Sequence, residues 1–326
     1  MTVDRETDAE FFAELLSTPP NPQLALIFPG QGSQKPGMGR AVSERFGPAQ
    51  QLFQVADRVL GWDVSSFCFE ATDEALTHTA QAQPAILTAS LAYLVAALES
   101  GTVTARPAFL AGHSLGEFTA LVAARSLGLE EALRLVSERA LLMAKAGDRK
   151  PGAMAAVLGL AEDDVSAICH TTGAEPANYN QETQVVIGGT PEAIDQAAAR
   201  ARERGAKILP IKVSGAFHTS LMGDAAAEFA RMVDVATISD PMIPVIGNVS
   251  GLPLASADDV RAELKAQIIS PVRWRQTIDH MLAHGVQEFL EVGPGRVLTA
   301  MLKRTAPHVS AVAIGSVDAL STASHV

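Results

Sequence analysis

Two short runs of unbroken apolar residues stand out along the chain, and each ends on glycine. Leu24-Ala25-Leu26-Ile27-Phe28 stops at Pro29-Gly30, and Ala108-Phe109-Leu110-Ala111 runs straight into Gly112-His113-Ser114-Leu115-Gly116. A continuous apolar run bounded by breakers predicts a strand buried on both faces, as in a parallel sheet. Helical patterns lie between the two runs, over 49–60 and 84–98, and beyond the second, over 117–125 and 129–145. Strands alternating with helices predict an α/β architecture with a mostly parallel sheet.

The middle of the chain changes character. Residues 153–158, 184–187 and 208–213 read as strands, with helices over 162–170 and 191–204. A β-α-β-α-β order within about 60 residues predicts a small ferredoxin-like subdomain inserted into the larger domain. Further strands at 244–248 and 288–292 return the chain to the large sheet. The expected division is an N-terminal extension over 1–22, a large domain over 23–148 and 211–316, a small subdomain over 149–210 and a tail over 317–326. Residues 8–16 are expected to form a short amphipathic helix closed by Pro19 and Pro20, read as an appendage. The Ser/Ala-rich segment after Gly315 is expected to fray.

Composition narrows the function classes. Apolar residues fill 48% of the 326 positions while aromatics fill only 5%, so the core is built of Ala, Val, Leu and Ile. A formal net charge of −11 argues against nucleic acid or an anionic membrane as the main partner, because phosphate binding needs clustered Lys and Arg. Cys68 and Cys169 lie far apart with no metal spacing, and read as core positions of a reduced, cytoplasmic protein. The first twenty residues begin acidic, so a secretory signal is not expected. Nor is a membrane span, since no run of about 18 apolar residues occurs.

The glycine-flanked Ser114 carries the first chemical signal. Gly112-His113-Ser114-Leu115-Gly116 fits the G-x-S-x-G nucleophile elbow, with an apolar strand before it and a helix after it, as in α/β-hydrolase-like domains. Glycines two before and two after the serine let neighbouring backbone come close, and the following helix points its amides toward a developing oxyanion. A serine hydroxyl needs a base. His113 is expected to point away from the serine and act as a hydrogen-bonding support. His280 and His284 are spaced i, i+4, but no H-E-x-x-H carboxylate accompanies them, so a metal role is disfavoured. His218 sits in a small-residue loop after the 208–213 strand, where open α/β sheets present catalytic groups. The loop Gly30-Gln31-Gly32-Ser33-Gln34, also directly after a strand, completes no phosphate-binding motif. It is read as a backbone donor facing the serine.

Phe28-Pro29-Gly30-Gln31-Gly32-Ser33-Gln34, Gly112-His113-Ser114-Leu115-Gly116-Glu117, Gly215-Ala216-Phe217-His218 and Glu291-Val292-Gly293-Pro294-Gly295 occur in an order that resembles the malonyl-CoA:acyl carrier protein transacylases. The resemblance covers about residues 24–305. It implies Ser114 as nucleophile, His218 as general base, and the amides of Gln31 and Leu115 as the oxyanion hole. Arg139, 25 residues past Ser114, takes the position of the family's substrate arginine, whose planar guanidinium binds a free carboxylate. Gln267 takes the position whose backbone carbonyl orients the histidine. Asn178 and Asn180 correspond to residues of the small subdomain facing the cleft. Phe217 resembles the apolar residue of malonyl-selective members, where bulk crowds a methyl branch.

The implied reaction is ping-pong transfer from malonyl-CoA through malonyl-Ser114 to the phosphopantetheine thiol of an acyl carrier protein, with no metal or redox cofactor. The resemblance also implies a monomer. Carrier proteins of this kind are acidic, which gives Lys35, Arg149, Lys150, Arg202, Arg273 and Arg275 as candidate docking cations. Three alternatives stand beside this reading. They are an acyl-thioester hydrolase of the same fold, an ordinary α/β-hydrolase esterase, and a non-catalytic carrier-docking module. The presence of Arg139 speaks against the first, the 30–34 loop against the second, and Ser114 with His218 against the third.

Overall fold

The computed structural model describes residues 11–213 and 215–322. Strands β1 (Pro20–Phe28) and β2 (Arg106–Gly112) contain the two apolar runs and lie parallel, with Leu26 beside Leu110 and Phe28 beside Gly112. The chain next forms β3 (Ala153–Leu158), β4 (Glu175–Gln181), β5 (Gln184–Gly189) and β6 (Lys207–Ile211). It then returns for β7 (Val245–Ile246), β8 (Pro253–Leu254), β9 (Glu288–Val292) and β10 (Ser310–Ile314). The large sheet has the order β10-β9-β1-β2-β7-β8 and is parallel except where β8 pairs with β7. The loops after β1, β2 and β7 therefore emerge side by side at the carboxyl edge, where such sheets place their ligands.

The small sheet is antiparallel, in the order β4-β5-β3-β6, and its element order is β-α-β-β-α-β. This completes the ferredoxin-like unit and corrects the expected five-element order, which lacked β4. Pro176, Asn178 and Asn180 all disfavour strand locally. Tertiary pairing overrides them: β4 joins β5 on one side, and on the other Tyr179 N donates to Val272 O while Val272 N donates to Ala177 O, at 2.8 and 2.9 Å. That link fastens the small sheet to the segment following Gln267.

The helix Thr79–Glu99 runs through the centre of the large domain and packs along Leu129–Arg149. It is long and apolar enough to cross a membrane, but 94% of its most apolar window is buried inside the protein. That explains why it shows no polar face. Both cysteines are buried and unpaired. The chain ends are less peripheral than expected. The helix near the N-terminus spans Ala13–Ser17, since the start of the 8–16 prediction lies outside the described residues, and Phe12 and Leu15 are buried in the main core. Of the segment after Gly315, residues 323–326 lie outside the described residues; the described part forms the helix Val317–Thr322, with Leu320 buried and its carbonyl accepting Thr102 Oγ1 at 2.7 Å.

Candidate active site

Ser114 stands at the turn from β2 into the helix Gly116–Ala123 with φ 52°, in the left-handed region. A non-glycine residue held there stores about 1–3 kcal/mol and persists only where the surroundings enforce it. Here the enforcement is visible. A Cβ on Gly112 would lie 1.8 Å from the Gly116 carbonyl carbon, and one on Gly116 would lie 2.1 Å from Phe28 O. The two glycines thus allow strand, turn and helix to touch. Asn248, just after β7, fixes the elbow by accepting Ser114 N at 2.7 Å and donating Nδ2 to Gly112 O at 2.8 Å.

His218 also adopts a left-handed backbone, φ 61°, and its Nε2 lies 2.7 Å from Ser114 Oγ. Its Nδ1 donates to the backbone carbonyl of Gln267 at 2.9 Å, which leaves the Nε2 lone pair to receive the serine proton. Burial, together with the Arg139 charge, lowers its pKa to about 3 against the hydrogen bond to Gln267. The imidazole is therefore neutral, as a base must be.

Arg139 is fully buried, on the helix Leu129–Arg149. Its Nη2 donates to Ser114 Oγ at 3.0 Å and to Gln267 Oε1 at 2.9 Å, and its Nη1 donates to Gln83 Oε1 at 2.5 Å. Its Nε has no partner, and among the described residues no carboxylate forms an ion pair with it. Burial lowers its pKa to about 10, offset in part by Glu117, so it keeps its charge at neutral pH. A desolvated cation with spare donors, 3.0 Å from a nucleophile, is a receptor for an anionic group.

These three groups open into a cavity of about 250 Å³ between the two sheets, lined also by Met143, Met154, Val186 and Phe217. Gln31 and Leu115 line it as well, and among the described residues no protein acceptor takes either backbone amide. The Gln31 side chain is tied to Thr79 Oγ1 at 3.1 Å. A Cβ on Gly30 would sit 2.3 Å from His113 O, so the 30–34 loop lies directly against the elbow. His113 also lines the cavity, where its Nε2 meets Asn180 Oδ1 at 2.9 Å and its ring packs on Trp274. Asn178 is buried on the cavity wall. His280 and His284 stack on each other and meet Phe109 edge-on, away from this site, and no group of three metal-ligating residues occurs among the described residues.

Three participants were not foreseen. Gln83 and Asn248 carry no motif, although a glutamine opening a long apolar stretch of helix and an asparagine just past a strand are weak signals. The third is the Gln267 side chain. Besides receiving Arg139, its Nε2 donates to Glu117 Oε1 at 2.9 Å and to Ser114 O at 3.1 Å.

A strained serine, a neutral imidazole oriented by a carbonyl and two idle backbone amides define a serine-nucleophile acyl-transfer site on an α/β-hydrolase-like scaffold. Comparison with known proteins specifies the kind. Residues 25–320 match the acyl transferase domain family. The malonyl CoA-acyl carrier protein transacylase of Bacillus subtilis (strain 168) is 39% identical over 307 residues, covering 92% of this chain and 96% of that protein. The crystal structure of FabD from Acinetobacter baumannii superposes with a TM-score of 0.87 at 40% identity, covering 92% of this chain and 96% of that one. A type II polyketide-synthase carrier protein in complex with its malonyl-transacylase gives 0.88 at 38% identity, covering 92% and 98%. The chain belongs to the acyl transferase family and, within it, to the malonyl-CoA:acyl carrier protein transacylases.

Proposed function

We propose that this enzyme moves malonyl from coenzyme A to the phosphopantetheine thiol of an acyl carrier protein, with Ser114 carrying the acyl group between them. The observation that carries the reading is the buried Arg139 guanidinium donating to the serine oxygen itself. An acetyl group would leave that cation unpaired, whereas the carboxylate of malonyl supplies its counter-charge.

His218 Nε2 takes the Ser114 proton as Oγ attacks the thioester carbonyl. The oxyanion is received by the amides of Gln31 and Leu115. The C–S bond then breaks, and His218 returns the proton to the departing coenzyme A thiolate. In the second half-reaction His218 deprotonates the carrier thiol, sulfur attacks the ester carbonyl, and Ser114 leaves with the proton restored. Phe217, buried on the wall, fills space that a methyl branch on the acyl group would need. Incubation with malonyl-, methylmalonyl- and acetyl-CoA, followed by intact mass and by transfer to holo carrier protein, tests the reading. A malonyl adduct discharged by carrier protein is expected. Equal loading by acetyl-CoA would refute the assignment to Arg139.

The low pKa of His218 sets a pH expectation. A base is active when deprotonated, so lowering its pKa extends activity toward acid. The kcat/KM for malonyl-CoA should stay level from about pH 7 to about pH 5. A half-maximal value near the ordinary histidine pKa of 6.5 would contradict the buried, charge-adjacent environment.

The carrier must approach the cavity mouth. Of the cations considered for docking, Lys150 pairs with Asp224, and Arg275 pairs with Glu162 and Asp279. A second groove, of about 300 Å³, shares Val297 and Met301 with the cavity and is flanked by Arg296 and the exposed Arg304. These two are the better placed for an acidic carrier and the phosphate of its arm. Reversing both to Glu is expected to raise the KM for carrier about tenfold with little change in kcat. The effect should shrink as salt is added. A KM unaffected at low salt would remove them from the docking surface.

A further inference from the structure

Behind the elbow lie two buried carboxyls that the acyl-transfer steps do not use. Glu117 is fully buried in the first turn of the helix Gly116–Ala123, and Glu263 is nearly so, on Ala257–Gln267. They grip successive amides of one loop. Glu117 Oε2 accepts Asn248 N, and Glu263 Oε1 accepts Val249 N, both at 2.7 Å. The space for the second carboxyl is kept by Gly247, where a Cβ would fall 2.7 Å from Glu263 Oε2.

Two such groups cannot both ionise out of water. Burial and the neighbouring carboxyl lift Glu117 well above the usual carboxylate range, and burial lifts Glu263. Geometry decides where the single proton sits. Both Glu117 oxygens already accept, from Asn248 N and from Gln267 Nε2. Glu117 also faces Arg139 and the positive end of its helix. Glu263 holds Val249 N on Oε1 at 2.7 Å, and its remaining neighbours are the Asn248 amide, already taken by Glu117, and the Glu117 carboxyl itself, so the shared proton is placed on Glu263.

We propose that Glu117, as the anionic half of a carboxyl pair with Glu263, is the positioning residue that holds the nucleophile, base and guanidinium in mutual register. Through Asn248 it fixes the Ser114 amide. Through Gln267 it orients the side-chain oxygen that receives Arg139, on the same residue whose backbone carbonyl receives His218. It also offsets part of the Arg139 charge before substrate arrives, through Gln267 and without a direct ion pair. The inference rests on the acyl-transfer reading, which the wild-type enzyme tests by itself in the same assay.

Glu117→Gln keeps an acceptor for Asn248 N but turns a donor toward Gln267 Nε2. Gln267 must then flip its amide and present a donor to Arg139. The expected result is a 10- to 100-fold fall in kcat/KM for malonyl-CoA, on the order set by losing charge-assisted contacts, with a smaller fall for acetyl-CoA. Glu263→Gln reproduces the protonated partner and should keep the malonyl-to-acetyl preference within about threefold. The double variant Glu117→Gln/Gln267→Glu puts the anion on the adjacent residue, with a donor at 117 to meet it, and is expected to recover most of the preference. A purely structural role would lower both substrates equally, and the exchange would rescue neither. That outcome overturns the proposal, as would Glu263→Gln losing as much selectivity as Glu117→Gln. Should Glu117→Gln fail to fold, the exchange variant and Glu263→Gln carry the test alone.

Discussion

Ser114→Ala is expected to take up no malonyl group from malonyl-CoA and to lose transfer to carrier protein by about 10⁴-fold or more, as when a covalent nucleophile is removed elsewhere. The loss is one of chemistry, not of fold. Alanine must adopt the same left-handed backbone that serine does, with its Cβ in the same place, so the elbow stays intact. What disappears is the oxygen that accepts from Arg139 Nη2 and faces His218 Nε2. His218→Ala should behave differently. The nucleophile survives, and Arg139 still donates to it, so a slow malonyl adduct is expected with turnover reduced about 10³-fold or more. Intact mass after timed incubation separates the two: none in the serine variant, gradual accumulation in the histidine variant. An adduct on the Ser114→Ala protein would place the nucleophile elsewhere and end the assignment.

How much of this was legible beforehand follows the range of the interactions. The apolar runs at 24–28 and 108–111 announced buried parallel strands, and the spacing of Gly112, Ser114 and Gly116 announced the elbow, because both signals are local and steric. β4 was invisible because its stability comes from partners at 184–189 and 272, against its own Pro and Asn content. Resemblance to a family placed His218, Arg139 and the Gln267 carbonyl. No periodicity could have brought together residues 114, 139, 218 and 267, which meet only through the sheet edge and the link between the two sheets. The Glu117–Gln267–Arg139 chain was hidden for a further reason. Glutamate early in a helix and glutamine near a helix end are ordinary surface choices, and only burial gives them a task.

Arg139→Ala is the second large effect, and it should change what the enzyme selects more than whether it reacts. Two charge-assisted hydrogen bonds to a carboxylate, at about 1.5–3 kcal/mol each, correspond to a fall of roughly 10²–10⁴ in kcat/KM for malonyl-CoA. Acetyl-CoA loses no such contact and should gain ground, because the cavity no longer presents an unpaired cation to an apolar acyl group. Hydrolysis of the acyl-serine should rise with it, since the space left by the guanidinium admits water beside the ester. Arg139→Lys should recover only part of the malonyl rate: an ammonium supplies the charge but not the planar fork, and its acceptors Gln83 and Gln267 are spaced for two nitrogens. The alanine variant also carries a signature in pH. The Arg139 charge is one reason the His218 imidazole resists protonation, so its removal lets that pKa rise and moves the acidic limb toward neutral pH. Full malonyl transfer, no gain with acetyl-CoA and an unmoved acidic limb in the Arg139→Ala protein would together remove the guanidinium from the mechanism.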